Sequence, residues 1–262
     1  MKSWKILLAL VASVSAHAAD NAQTVLDCMR ANVPPALRAQ DIELVATDRV
    51  GSTRTLKGKL YALSEKTSSG GSLVRAMLKI EGPASYAGAA YLVREAEEAA
   101  HEGMFVYLPS VRRVRRVSGA FADGSLLGTN FSYNDLKLLS NSFVGSAAKL
   151  EASEDLDQRP VYRLSFKTLP DGGSPYKSVR AWVDQKSCVP LKAEFFEGDS
   201  VRKRLTAPAN SLRQSGKYWY LSQVEMRDLK ENTSTVLKLG NVTGATGLPG
   251  RYFSPELFYL GN

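Results

Sequence analysis

From residue 41 onward, apolar and polar side chains alternate in short runs. Residues 40–49 set Ile42, Leu44 and Ala46 on one side. Residues 55–63 put Leu56, Leu60 and Ala62 opposite Lys57 and Lys59, and residues 72–80 put Val74, Ala76, Leu78 and Ile80 opposite Arg75, Met77 and Lys79. Apolar runs at 89–95 and 104–109 follow, joined by a polar connection carrying Glu97, Glu98 and His101. The second half repeats the pattern at 161–169, 176–184, 190–198, 201–207, 217–227 and 233–241. A period of two with one apolar face predicts strands, and short turns rich in Gly, Asp, Asn and Pro predict antiparallel neighbours.

Two stretches depart from that period. Residues 20–32 have Val25, Cys28, Met29 and Asn32 on one helical face, with Asp20 as cap and Pro34-Pro35 as stop. Residues 131–143 hold a capping box, Ser132 to Asp135, followed by Leu136, Leu139 and Phe143 on one face. Near the end, Ser254-Pro255-Glu256 opens one last turn. No repeat, low-complexity tract or linker divides the chain, and Ser68 to Gly71 reads as a hairpin tip.

These elements predict a mainly β protein of about eleven antiparallel strands. A sheet that long must curl. With an N-terminal helix and a central helix as a lid over its concave face, it becomes an unclosed half-barrel. Strand parity assigns Leu44, Leu60, Val74, Leu78, Ile80, Leu92 and Val106 to the concave lining, with Leu136 and Leu139 from the lid. Such a hollow suits a lipid or acyl chain. Filled barrels and sandwiches show the same alternation, and an apolar strand face can simply be core.

The first residues refine this picture. Lys2 and Lys5 precede an apolar run, Ile6 to Val14, and Ala16-His17-Ala18 closes it. This is the pattern of a secretory signal peptide over residues 1–18, leaving residues 19–262 as one exported domain. No cysteine follows the apolar run directly, so no lipid anchor is expected. Without the leader, 32 basic residues face 26 acidic ones, a net charge of +6. That excess favours anionic surfaces such as lipid headgroups, while nucleic acid is excluded as a partner after export. In an oxidising compartment Cys28 and Cys188 form a disulfide or remain two buried thiols.

Catalytic residue types are scarce. Beyond the leader the one histidine is His101, in a polar connection. No nucleophile elbow, zinc spacing or phosphate-binding glycine loop occurs, so neither enzymatic activity nor a metal or cofactor is expected.

One stretch juxtaposes grease and charge. Phe105 to Arg116 reads FVYLPSVRRVRR, in which Pro109 marks a strand end and four arginines fall within five positions. Gly128 to Leu136 then reads GTNFSYNDL. Together with YKSVRAWVD at 176–184, the following PLKAEFFEG and the ending FSPEL at 253–257, these motifs resemble the LolA-like outer-membrane lipoprotein-sorting proteins of bacteria, in the branch found beside RND- or MMPL-type exporters. The resemblance spans roughly residues 25 to 260. It implies a half-barrel carrier, located in the periplasm, that shuttles lipid or lipidated protein between an inner-membrane transporter of that type and the outer membrane, which it contacts transiently. Relatives of the fold also act as sensors, so a regulatory binding module is the alternative. In this reading Arg112, Arg113, Arg115 and Arg116 stand at the mouth and grip headgroups or a partner's acidic patch. A solvated turn that discourages edge pairing is the plainer account of the same residues.

Overall fold

The computed structural model describes residues 21–67, 72–95, 103–118, 122–133, 135, 148–167, 175–245 and 247–260. The expected leader, the expected 68–71 tip, the connection with Glu97, Glu98 and His101, and the expected lid positions Leu136 and Leu139 lie outside the described residues.

Among the described residues helix α1 (Ala22–Ala31) precedes fifteen strands. In chain order they are β1 (Ala36–Thr47), β2 (Thr53–Lys66), β3 (Ser72–Gly82), β4 (Ala90–Arg94), β5 (Gly103–Leu108), β6 (Arg113–Val117), β7 (Ala148–Leu156), β8 (Arg159–Lys167), β9 (Ser178–Asp184), β10 (Pro190–Glu197), β11 (Ser200–Thr206), β12 (Leu212–Ser215), β13 (Tyr218–Leu221), β14 (Gln223–Asp228) and β15 (Thr233–Gly244). Thirteen form one antiparallel sheet in the order β6-β5-β4-β3-β2-β1-β15-β14-β11-β10-β9-β8-β7, and β12 with β13 makes a separate ribbon. Strands β6 and β7 each have a single neighbour, so the sheet does not close.

The strand count exceeds the expected eleven for physical reasons. β7 carries Glu151, Glu154 and Asp155 among small and aliphatic residues, so its alternation is faint in sequence. The run 217–227 is not one strand. It breaks at Ser222, whose hydroxyl donates to the Ser211 carbonyl at 2.8 Å, so β13 leaves the sheet to pair with β12 while β14 stays in it. The helix cap also differs from expectation. Asn21, not Asp20, is the N-cap, its side chain accepting from the Thr24 amide at 2.9 Å.

The sheet is apolar on both sides, and each apolar region has its own cover. The concave core joins Leu44, Leu56, Leu78, Ile80 and Val106 from one half to Leu164, Ala181, Phe195 and Met226 from the other. It is covered by Val25, Leu26 and Met29 of α1 and by Leu126 and Phe131. On the convex side, Tyr61, Met77 and Leu92 lie beneath Tyr252, Phe253 and Phe258 of the C-terminal segment. A third cluster, Val161, Trp182, Val189 and Leu191, lies beneath Leu212, Trp219 and Leu221 of the ribbon. The expectation of a single apolar face is therefore corrected. β4 is buried at Ala90, Tyr91, Leu92 and Val93 in succession, as a strand covered on both faces must be.

The capping box at the root of the expected central helix is present. The Ser132 amide donates to Asp135 Oδ2 at 2.8 Å, and the Asp135 amide donates to Ser132 Oγ at 3.0 Å.

Candidate functional site

Helix α1 owes its position to three ties. Its apolar stripe, Val25, Leu26 and Met29, enters the concave core. Cys28 is bridged to Cys188 with Cα atoms 5.8 Å apart. The C-cap residue Asn32 donates from Nδ2 to the Trp219 carbonyl at 2.9 Å and accepts from the Trp219 amide at 2.8 Å.

Pro34 and Pro35 end the helix and lead into β1. Where this turn meets the β13 ribbon and the end of β15 there is a cavity of about 370 Å³. Its walls are Pro34, Pro35, Leu37, Tyr218, Trp219 and Tyr220, with Gly244 and Ala245 closing one side. Among the described residues no charged side chain lines it. A space of this size and character takes an apolar ligand.

The concave face leads from there to the arginines. Cross-strand register aligns Ala39, Leu60, Leu78, Tyr91, Val106 and Arg115 in one row across β1 to β6. The next row toward the turn pairs Leu108 with Arg113. An aliphatic track thus ends in two exposed guanidinium groups on the edge strand. The other two arginines lie elsewhere. Arg112 sits at the turn tip with φ +47°. Arg116 faces the convex side, 6.0 Å from the centre of the Phe105 ring.

Of the lining residues expected from parity, Leu44, Leu78, Ile80 and Val106 lie in the concave core and Leu60 packs against it. Val74 is buried outside that cluster, its amide donating to Glu95 Oε2 at 2.6 Å. Leu92 is on the opposite face, with Met77 and Tyr61. β4 is apolar on both sides, so parity by itself could not orient it. Sequence reasoning placed Asn32 on the helical face without its tie to Trp219, and it missed Leu37 and the Tyr218–Tyr220 triplet. The available signal was three successive aromatics just after the Gly216 turn.

The segment around Gly128 is a polar staple. Arg54 donates to the Leu127 carbonyl at 2.6 Å and to the Tyr86 hydroxyl at 2.9 Å. The Asn130 amide donates to Thr235 Oγ1 at 2.9 Å, and Lys203 Nζ donates to the Asn130 carbonyl at 2.8 Å and to Asp135 at 3.2 Å. Tyr133, beside it, lies 5.7 Å from Tyr91, ring centre to ring centre. Burial pushes both phenols up, so they stay neutral. Among the described residues no group of three or more His, Cys, Asp or Glu could hold a metal ion, and no helix is long and apolar enough to cross a membrane.

A family model described as that of an uncharacterised protein matches residues 73–258. Similar solved structures include a DUF1329 family protein from Desulfovibrio piger, 21% identical over 88% of this chain and 96% of that one, with a TM-score of 0.77. A second is a putative outer membrane lipoprotein-sorting protein domain from Vibrio parahaemolyticus, 22% identical over 90% and 97%, with a TM-score of 0.77. A third is a LolA superfamily protein from Nitrosomonas europaea, 18% identical over 90% and 98%, with a TM-score of 0.68. No curated protein matches. The family model spans most of the chain, so the chain belongs to that family of uncharacterised proteins, and over about nine-tenths of its length it has the LolA-like fold.

Proposed function

We propose that the protein is an exported carrier that binds the acyl chains of a lipid or lipidated protein. The observation that carries this reading is the cavity of about 370 Å³ between Pro34–Leu37 and Tyr218–Tyr220, whose described lining carries no charged side chain. Each methylene placed there contributes about 0.8 kcal/mol. The aliphatic row ending in Arg113 and Arg115 supplies cations for an anionic headgroup or an acidic partner surface. In this account the protein works in the periplasm, collects cargo from an inner-membrane transporter of the RND or MMPL type and contacts the outer membrane briefly to release it. It performs no catalysis.

The fixed position of α1 favours a second reading. A helix held by both a disulfide and the Asn32–Trp219 pair is a poor moving lid. A regulatory module that senses an amphiphile without transferring it needs no such movement.

Native mass spectrometry of protein taken from the cell envelope tests the binding. An apolar ligand mass is expected, and titrating stripped protein with dodecanoate should change a fluorescence signal lost in Trp219→Phe. Leu37→Asp should weaken binding at least tenfold. Absence of any bound mass, with flat titrations, rejects both readings. Binding without handover to acceptor vesicles leaves the regulatory one.

A further inference from the structure

The β12–β13 ribbon has two unlike faces. A two-stranded ribbon is marginally stable alone, and one face of this one is anchored. Leu212, Trp219 and Leu221 lie on Val161, Trp182, Val189 and Leu191. Cross-strand register puts Arg213 opposite Tyr220 and Ser215 opposite Tyr218, so these four share the other face. Tyr218 and Tyr220 wall the apolar cavity and are half-buried, whereas Arg213 is exposed. Gly216, with φ +59°, takes the first turn position, where glycine favours a two-residue hairpin, and Lys217 is left exposed at the tip. Lys217 Nζ is 5.3 Å from the centre of the Tyr218 ring. Two phenol rings at the cavity therefore stand between two cations.

The neighbouring chain carries the same sign. Residues 28–40 and 207–222, which supply most of the cavity walls, hold Arg30, Arg38, Arg213 and Lys217 and no Asp or Glu. Arg30 is exposed and lies two residues before Asn32, whose side chain bonds Trp219 of the ribbon. A tyrosine ring suits a boundary with one apolar and one wet side. Exposed cations beside it are drawn to the negative surface of a bilayer rich in anionic lipid. A soluble anion would engage the cations alone and leave the rings without a role. We propose that the β12–β13 ribbon docks the protein on an anionic phospholipid bilayer, with Tyr218 and Tyr220 at headgroup depth between Arg213 and Lys217.

This inference deepens the carrier reading and rests on it for what docking achieves. The docked face is also a wall of the cavity, so an acyl chain passes between bilayer and cavity without exposure to water. Docking uses the Ala36 end of β1; the hairpin tip that carries Arg49 lies at the other end of the same strand, next to Thr47.

The test is co-sedimentation of the full chain with vesicles of phosphatidylglycerol in phosphatidylcholine, against phosphatidylcholine alone. Wild type should bind the anionic vesicles at least tenfold more tightly, and the preference should shrink as salt is raised. Arg213→Gln and Lys217→Gln should each weaken binding about fivefold. Lys217→Arg should restore it, and Arg49→Gln should leave it unchanged. Lys217 is exposed at a turn tip, so Lys217→Gln should keep the wild-type Tm and report on docking without a folding defect. Tyr218→Ser with Tyr220→Ser should weaken binding without altering its salt dependence. Amide hydrogen exchange locates the contact: anionic vesicles should protect residues 212–221 and not the tip at 48–51. Equal binding to both vesicles, full binding in the Arg213→Gln, Lys217→Gln double variant, or protection confined to other residues overturns the proposal. Protection of 212–221 that rises with protein concentration in the absence of vesicles also overturns it, because a second copy then covers the ribbon. Dodecanoate titration of wild type separates this proposal from the carrier reading. Dodecanoate binding without vesicle binding overturns the docking surface alone. Vesicle binding through the ribbon without dodecanoate binding supports the surface and rejects the carrier reading.

Discussion

Asn32 and Trp219, 187 residues apart, hold each other by two hydrogen bonds: the Asn32 amide donates to the Trp219 carbonyl and its oxygen accepts from the Trp219 N–H. One side chain thereby closes the end of α1 and pins the ribbon that walls the apolar cavity. Asn32→Ala leaves both backbone groups of Trp219 without that partner in a half-buried place. A loss of about 1–3 kcal/mol is expected, measured by urea unfolding. Hydrogen exchange should rise in β12 and β13 and not in β2. Uniform exchange changes would refute the local role.

The Cys28–Cys188 bridge closes a loop of 160 residues and ties α1 to the turn after β9. Replacing both cysteines by serine should cost about 2–5 kcal/mol in guanidinium unfolding. Ligand affinity should fall with it, because the Pro34–Leu37 wall follows directly from α1. Equal affinity in the variant would show that the wall is held without the bridge.

Gly128 has φ +71°, and a Cβ there would lie 2.5 Å from Arg54 Nη2. Gly128→Ala combines a left-handed backbone with a close contact and should cost about 1–3 kcal/mol. Adding Arg54→Ala removes the contact but not the backbone strain. The double variant should therefore be less destabilised than the sum of the two singles, and strict additivity would rule out the contact.

Asp184 sets an acid limit on stability. Burial pushes its carboxyl up. Hydrogen bonds from Arg159 Nε at 2.8 Å, Ser187 Oγ at 2.6 Å and the Ser187 amide at 2.8 Å outweigh burial and hold its pKa below the usual carboxylate value. The unfolded value is about 3.9. The folded value being lower, the contribution is complete above the unfolded pKa and is lost as pH falls through the folded one. Asp184→Asn should lower stability at neutral pH and flatten its decline between about pH 5 and pH 2. The same residue shapes the turn that presents Cys188, whose amide donates to the Asp184 carbonyl at 2.8 Å. An acid limb unchanged in the variant would assign it to other carboxylates.

Much of the architecture was written locally. Alternation at Leu56, Leu60, Leu78 and Ile80 marked antiparallel strands with one apolar face, and those residues share the concave core or pack on it. The Ser132–Asp135 box and the Pro34-Pro35 stop were legible because caps and prolines act over three or four residues. Where local signals failed, they failed for stated reasons. β4 is apolar on both faces, so Leu92 carried no sign of its side. The four arginines looked like one cluster because they are close in sequence. Strand alternation instead sends Arg113 and Arg115 to the concave side and Arg116 to the convex, and the turn isolates Arg112.

The sequence alone determined that the chain makes a long antiparallel sheet with a helical start, since pleat and helical period are properties of neighbouring residues. Only the tertiary structure decided what covers each face. The C-terminal segment over Leu92, the ribbon over Trp182 and the Asn32–Trp219 clamp are contacts between residues remote in the chain, chosen by burial of whichever apolar surface the curled sheet left open.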